Sequence, residues 1–110
     1  MAYDEDLANR LRELLAGEEA VTERKMFGGL AFLVHGHMCV SASHSGGVLA
    51  RVDPDDSEEA AARPHAARME MGGRSMDGWI MVEPEGVAEP GALEAWAERS
   101  LAYVRTLRPK

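Results

Sequence analysis

The fold of this chain is decided by one stretch, Lys25-Met26-Phe27-Gly28-Gly29-Leu30-Ala31-Phe32-Leu33-Val34, which opens a segment without aspartate or glutamate that ends at Val52. The whole chain is acidic, with 19 Asp and Glu against 12 Lys and Arg. Because acidic residues rarely enter a core, the acid-free segment predicts the buried sheet. Short connections that contain glycine predict antiparallel hairpins between three strands, at residues 30–34, 38–43 and 48–52.

Apolar periodicity predicts a helix at each end of the chain. Leucines from Leu7 to Leu15 form one stripe of a helix over about residues 4–16. Near the other terminus, one face of a last helix carries apolar or small residues at helical spacing: Leu93, Trp96, Ala97, Ser100, Leu101, Val104 and Leu107.

The middle of the chain predicts a short helix and two more strands. Asp53-Pro54 is typical of a helix start, and Pro64 ends that helix. Met69 and Met71 alternate with polar residues, and an apolar strand at residues 79–82 follows a loop over 72–78. The predicted fold is therefore α+β, with an antiparallel sheet of about five strands, a three-stranded meander plus a later strand pair. The N-terminal and C-terminal helices pack on that sheet.

Length and charge restrict the class of protein. With 110 residues, 45% of them hydrophobic, we expect a single domain over residues 1–110. The longest apolar run is too short to cross a membrane, and acids occupy the N-terminus where a secretory signal would carry positive charge. These features predict a cytoplasmic protein without a membrane partner. A net charge of -7 repels a phosphate backbone, so we expect no direct binding to nucleic acid.

The order of these motifs resembles the TfoX/Sxy N-terminal domain family. The signature is Met26-Phe27-Gly28-Gly29, followed by the meander, the Trp79 strand and a last helix with Leu93 and Trp96. The resemblance covers nearly the whole chain and implies an α+β domain linked to competence regulation, with no known catalytic residues. Members tied to competence commonly carry a second, helical domain, whereas this sequence ends just after its last predicted helix. We therefore expect a stand-alone domain of this type.

Candidate chemistry is sparse in this sequence. His35, His37 and Cys39 have the ligand types of a zinc or copper site, but structural zinc usually takes four ligands, and Gly36 predicts a turn between the two histidines. Cys39 in mid-strand lacks the helix N-terminus that often activates a thiol. The acid-free segment also offers no carboxylate whose pKa burial would raise. We therefore predict no catalytic residues, no cofactor and no enzymatic activity.

The remaining hypotheses concern binding. Met76 lies in the predicted glycine-bounded loop beside Trp79, and methionine-rich surfaces adapt to varied partners, so these two residues are the predicted partner contact. The leading interpretation is a non-enzymatic regulatory domain that acts through contacts with an unidentified protein, a homodimer being one candidate assembly. The alternative is a small-molecule or metal-binding module that uses the His35, His37 and Cys39 region.

Overall fold

Glycines and prolines separate six strands and three α-helices in the computed structural model, which describes residues 3–26 and 28–108. Two short 3-10 turns, Pro54–Asp56 and Pro84–Val87, precede the second and third helices. The elements are, in chain order, α1 (Glu5–Leu15), β1 (Val21–Met26), β2 (Gly29–Val34), β3 (His37–Ala42), β4 (Val48–Arg51), α2 (Ser57–Ala61), β5 (Ala66–Met71), β6 (Arg74–Val82) and α3 (Pro90–Val104).

The strands form one open antiparallel sheet in the order β1-β2-β3-β4-β6-β5. Tight turns join the hairpins: His35 and Gly36 have φ of 51° and 84°, and Gly72 and Gly73 have φ of 62° and 81°. Two consecutive positive φ angles are the geometry whose twist matches antiparallel strands. The α+β class and the antiparallel sheet are confirmed, with the count of strands at the upper end of the expectation.

The additional strand is β1, a charged segment after α1 that the sequence pattern did not predict as a strand. Its residues from Thr22 to Lys25 are exposed, and Val21 and Met26 are half-buried. The strand forms because its backbone pairs with β2 along the whole of its length. Edge strands commonly carry charge, which discourages pairing with other chains, so hydrophobic alternation is too weak to reveal them.

The predicted loop over residues 72–78 was wrong in its extent. The connection is only the Gly72-Gly73 turn, and β6 begins at Arg74. Met76 therefore lies within a strand, opposite Met69 of β5. A two-residue glycine turn extends the pairing of β5 and β6 by several residues that the sequence pattern left in a loop.

A bulge on β3 changes the predicted face of Cys39. Phe32 pairs with Val40 and Leu33 with Met38, so Cys39 is the extra residue. Strict alternation along the predicted strand at residues 38–43 places Cys39 and Val40 on opposite faces, whereas both belong to the buried core cluster. One inserted residue shifts the pleat and allows two successive side chains to enter the same layer.

The core lies between one face of the sheet and the helices. Asp4 begins α1 by accepting hydrogen bonds from the backbone N–H groups of Asp6 and Leu7. The buried faces of α1 and α3 then cover Phe32, Val40 and other apolar residues of the central strands. The predicted helical stripe of α3 is confirmed: Leu93, Trp96, Ala97, Ser100, Leu101 and Val104 are buried, and Leu107 is half-buried.

Within the described residues, no helix combines the length and the apolarity needed to span a bilayer.

Two glycines allow backbones to approach more closely than any side chain permits. A Cβ on Gly29 would lie 2.3 Å from the carbonyl oxygen of Ala42, and one on Gly47 would lie 1.9 Å from that of Val82. The obstacle is backbone in both cases, so no rotamer change relieves it. Gly29 is thus required by the register of β2 on β3.

Substitution of Gly29 by alanine is expected to lower the free energy of unfolding by about 1–3 kcal/mol, the usual cost of overpacking. Gly17→Ala is the control, because no atom lies within 4 Å of its added Cβ, and it should change stability by less than about 0.5 kcal/mol. Urea titration monitored by circular dichroism measures both variants. Equal midpoints for the two would contradict this account of Gly29.

Candidate functional site

A groove of about 930 Å³ lies between α2 and α3. Its α3 wall consists of residues three or four positions apart, which form one helical face. Its other wall comes from α2 and the turns beside it. The lining residues are Asp53, Asp56, Glu59, Arg63, Pro64, His65, Glu85, Gly86, Ala92, Ala95, Trp96, Glu98, Arg99, Ala102, Tyr103 and Thr106.

The short helix α2 is anchored through its inner side. The Ser57 hydroxyl donates to the Pro54 carbonyl at 2.8 Å and accepts from the backbone N–H of Gly78 at 2.6 Å. Ala60, on the same side of the helix, is fully buried. Because the inner side is held on β6, the outer residue Glu59 is left beside the groove.

A small residue is needed where the 3-10 turn at Pro84–Val87 meets the turn before β5. A Cβ on Gly86 would lie 2.6 Å from Cγ1 of Val82 and 3.0 Å from Cβ of His65. A backbone hydrogen bond from Glu83 N to His65 O, 2.9 Å long, holds the same two segments together. His65 itself has a φ of 62°, in the left-handed region. These contacts fix the backbone at this part of the groove.

A three-residue ionic network connects the two walls of the groove. Arg99 of α3 donates to Glu59 Oε1 at 2.5 Å, and Arg63 donates to Glu59 Oε2 at 2.7 Å. The hydrogen bonds from Arg99 and then from Arg63 lower the pKa of Glu59 to about 2. The guanidinium of Arg99 also lies 6.0 Å from the centroid of the Trp96 ring. Glu59 is thus a fixed anion with both oxygens occupied.

One mixed cluster of candidate metal ligands lies at the groove. His65, Glu83 and Glu85 each offer a ligand atom within 4.8 Å of the others, and no second group of this kind occurs in residues 3–26 and 28–108. All three side chains are exposed, and two of them, His65 and Glu85, line the groove. An imidazole with two carboxylates is a ligand set that suits zinc and similar metals.

The metal ligands considered from the sequence are not brought into such a cluster. His35 lies in the turn before β3, and His37 Nε2 is 2.5 Å from the carbonyl oxygen of Arg108. Cys39 is fully buried, and burial raises the pKa of its thiol to about 12. At neutral pH the thiolate needed by a metal or a nucleophilic reaction is therefore scarce.

The predicted contact residues Met76 and Trp79 both lie on β6 and are half-buried. The Trp79 ring has an internal partner, since the guanidinium of Arg51 lies 5.1 Å from its centroid and 5.5 Å from that of Tyr103. Arg51 also donates to the Met38 carbonyl at 3.4 Å. Trp79 therefore contributes to a contact that joins β6 to α3.

The signature residues lie at the β1–β2 hairpin. Met26 ends β1, Gly28 has a φ of 76°, and Gly29 begins β2, while Phe27 lies outside the described residues. A Cβ on Gly28 would also be 3.4 Å from that of His44. Gly28 and Gly29 are therefore explained by the backbone geometry that they allow. Neither glycine is among the residues that line the groove.

Sequence reasoning missed the groove because its walls come from distant parts of the chain. Glu59 and Arg99 are 40 positions apart, and nothing in either local pattern links them. A weak signal was present in α3, where Ala92, Ala95 and Ala102 follow helical spacing on the side away from the core.

Comparison with known proteins identifies one family. The model of the TfoX N-terminal domain matches residues 13–104, which is most of the chain and includes the sheet and every residue that lines the groove except Thr106. A search of curated proteins found no match, and a search of solved structures found none either.

The Glu59 network predicts a pH dependence of stability. Because the pKa of Glu59 is lowered from 4.5 to about 2 in the folded state, its contribution is present above pH 4.5 and is lost as the pH falls towards 2. We expect wild-type protein to melt at a higher temperature than Glu59→Gln at pH 7, and this difference to close over that range. The effect is modest, since the side chain is 53% exposed and solvent screens it.

Glu98→Gln is the control for this measurement, because it removes an exposed carboxylate from the same groove and leaves Arg63 and Arg99 with Glu59. Melting curves by circular dichroism at several pH values give the comparison. A difference between wild type and Glu59→Gln that stayed constant from pH 7 to pH 2 would contradict the assigned network.

Proposed function

Because the chain belongs to the TfoX N-terminal domain family, we propose that it acts through protein–protein contacts in a regulatory assembly and not as an enzyme. The observation that carries this proposal is the α2–α3 groove. At about 930 Å³ it is large enough for several side chains of a partner, and it combines alanines and aromatic rings with a polar rim. An apolar floor with a charged border is the usual composition of a protein-binding surface.

The state of the reactive groups supports a role without catalysis. The buried thiol of Cys39 has a raised pKa, which opposes its use as a nucleophile. Glu59 of the groove is held ionised by two arginines that lower its pKa, so it is a poor proton donor or acceptor near neutral pH. The Glu59 network stabilises the groove, and a partner would contact the surface that this network holds in shape.

A metal-binding role is the second candidate, favoured by the cluster of His65, Glu83 and Glu85. With zinc–ligand bonds of about 2.0–2.2 Å, two ligand atoms on one zinc ion lie about 3.3 Å apart. The ligand atoms of His65, Glu83 and Glu85 are within 4.8 Å of one another, and rotation of these exposed side chains can shorten that separation to about 3.3 Å. This candidate replaces the His35, His37 and Cys39 region as the place where metal binding is to be sought. A metal there would leave coordination positions for water or a partner side chain.

The protein-contact role predicts that a bulky side chain in the groove blocks partner capture. Ala95→Trp fills part of the α3 wall, whereas Glu94→Trp introduces the same side chain at an exposed neighbour that does not line the groove. Affinity capture from a lysate of the source cells, with mass spectrometry, should recover a specific partner with wild type and Glu94→Trp. Recovery should fall at least about tenfold with Ala95→Trp, a loss of about 1.4 kcal/mol.

The mass in solution tests the homodimer within the same proposal. If the partner is a second copy, sedimentation should give twice the 12.0 kDa of one chain for wild type and for Glu94→Trp, and one chain for Ala95→Trp. Equal recovery and equal mass for all three proteins would remove the groove as the contact surface.

If His65, Glu83 and Glu85 bind a metal, Zn(II) should raise the melting temperature by a few degrees. This is about the increase that a ligand produces in a small domain when its concentration is far above its Kd. His65→Ala should abolish the increase, and His37→Ala should leave it unchanged. Thermal melts with and without Zn(II), followed by chelation, make the measurement. An increase that depends on His37 and not on His65 would return the site to the region of Cys39.

A further inference from the structure

We propose that the occupant of the α2–α3 groove is a basic, amphipathic α-helix of a partner protein, an inference that rests on the protein-contact role proposed above. This occupant fits the length of the α3 wall, the charge of the rim and the composition of the floor.

The α3 wall has the length that a helix requires. Its lining residues extend from Ala92 to Tyr103, about 16 Å along the axis at 1.5 Å per residue. Alanines at positions 92, 95 and 102 flank the aromatic side chains and leave room for close approach. A helix that packs on another helix needs an interaxial distance of about 8–10 Å, which small residues allow. About three turns of a partner helix match this length, and they would lie over the ion pair of Arg99 and Glu59 that crosses the groove.

The charge of the rim determines the sign of the charge that an occupant must carry. Five carboxylates line the groove, at Asp53, Asp56, Glu59, Glu85 and Glu98, against two arginines. Both arginines are already bonded to Glu59. The remaining four carboxylates form no ion pair with an arginine or lysine of the described part of the chain. Lysines and arginines of a partner would complement them, and an acidic segment would be repelled.

The floor of the groove requires that the same partner helix has an apolar face. Trp96 is only 8% exposed, so the alanines and the half-buried Tyr103, which lies seven residues or about two turns further along α3, supply the rest of the apolar surface. Apolar side chains at positions i, i+3, i+4 and i+7 of the occupant would contact these rings and the alanines. A purely polar basic tail would leave this surface in water. An amphipathic helix satisfies both the floor and the rim.

The test uses three synthetic peptides of about 14 residues, long enough to extend along the wall as a helix. The first has leucine and alanine on one helical face and lysine on the other. The second has the same composition in an order without an apolar face, and in the third glutamate replaces lysine. Fluorescence anisotropy should detect binding of the first peptide only, with an affinity that weakens as salt is raised from about 50 to about 150 mM.

Charge variants of α3 connect binding to the groove. Glu98→Lys should lower the affinity for the lysine peptide about threefold to tenfold, which is the size of effect expected for exposed charges. Glu94→Lys on the same helix should leave that affinity unchanged. Ala95→Trp should abolish binding, and Glu94→Trp should preserve it. Circular dichroism of each variant confirms that it is folded. Failure of the lysine peptide to bind at about 1 mM, or equal binding of the glutamate peptide, would overturn this inference.

The outcome separates this inference from the broader proposal. If capture of a cellular partner depends on Ala95 but the lysine peptide fails to bind, the groove is a protein-binding site and its occupant has other chemistry. If Ala95→Trp changes neither capture nor peptide binding, both proposals fail together.

Discussion

Burial of one apolar face of the sheet under the helices is the interaction on which the rest of the molecule depends. Phe32 and Val40 are fully buried there. Leu11 of α1 is also fully buried, and the side chain of Leu101 of α3 is 1% exposed. Each side chain of this size contributes about 1.5–3 kcal/mol when it leaves water, whereas an exposed ion pair contributes about 0–1 kcal/mol. The hydrophobic contacts therefore determine where α3 lies, and the ionic contacts adjust to that position.

The groove follows from this constraint. The sheet takes one face of α3, so the alanine face of that helix must point away from the core. Nearby, α2 is only five residues long and is held on the sheet by Ser57 and Ala60, so it cannot cover the outer face of α3. A space remains between the two helices, and the pair of Arg99 and Glu59 crosses it. The residues of this surface are thus positioned by contacts made elsewhere.

The distinction between strong and weak sequence signals explains which predictions succeeded. The leucine stripe of α1 and the stripe of α3 were recognisable because a buried helix face repeats over many residues. The strand β1 was missed because its pairing is made by backbone groups while its side chains are charged and exposed. Cys39 was assigned to the wrong face because a bulge, which depends on the partner strand, leaves no mark in an alternating pattern.

By itself the sequence determined the α+β class, the helices at both ends, the glycine turns of the meander and, through Met26-Phe27-Gly28-Gly29, the family. Those features depend on local periodicity and on backbone angles that a few neighbouring residues dictate. Only the tertiary structure decided the edge position of β1, the burial of Cys39, and the meeting of Glu59 with Arg99 and of His65 with Glu83. These features depend on contacts between residues far apart in the chain. Such contacts leave no repeating pattern in the sequence from which they could be predicted.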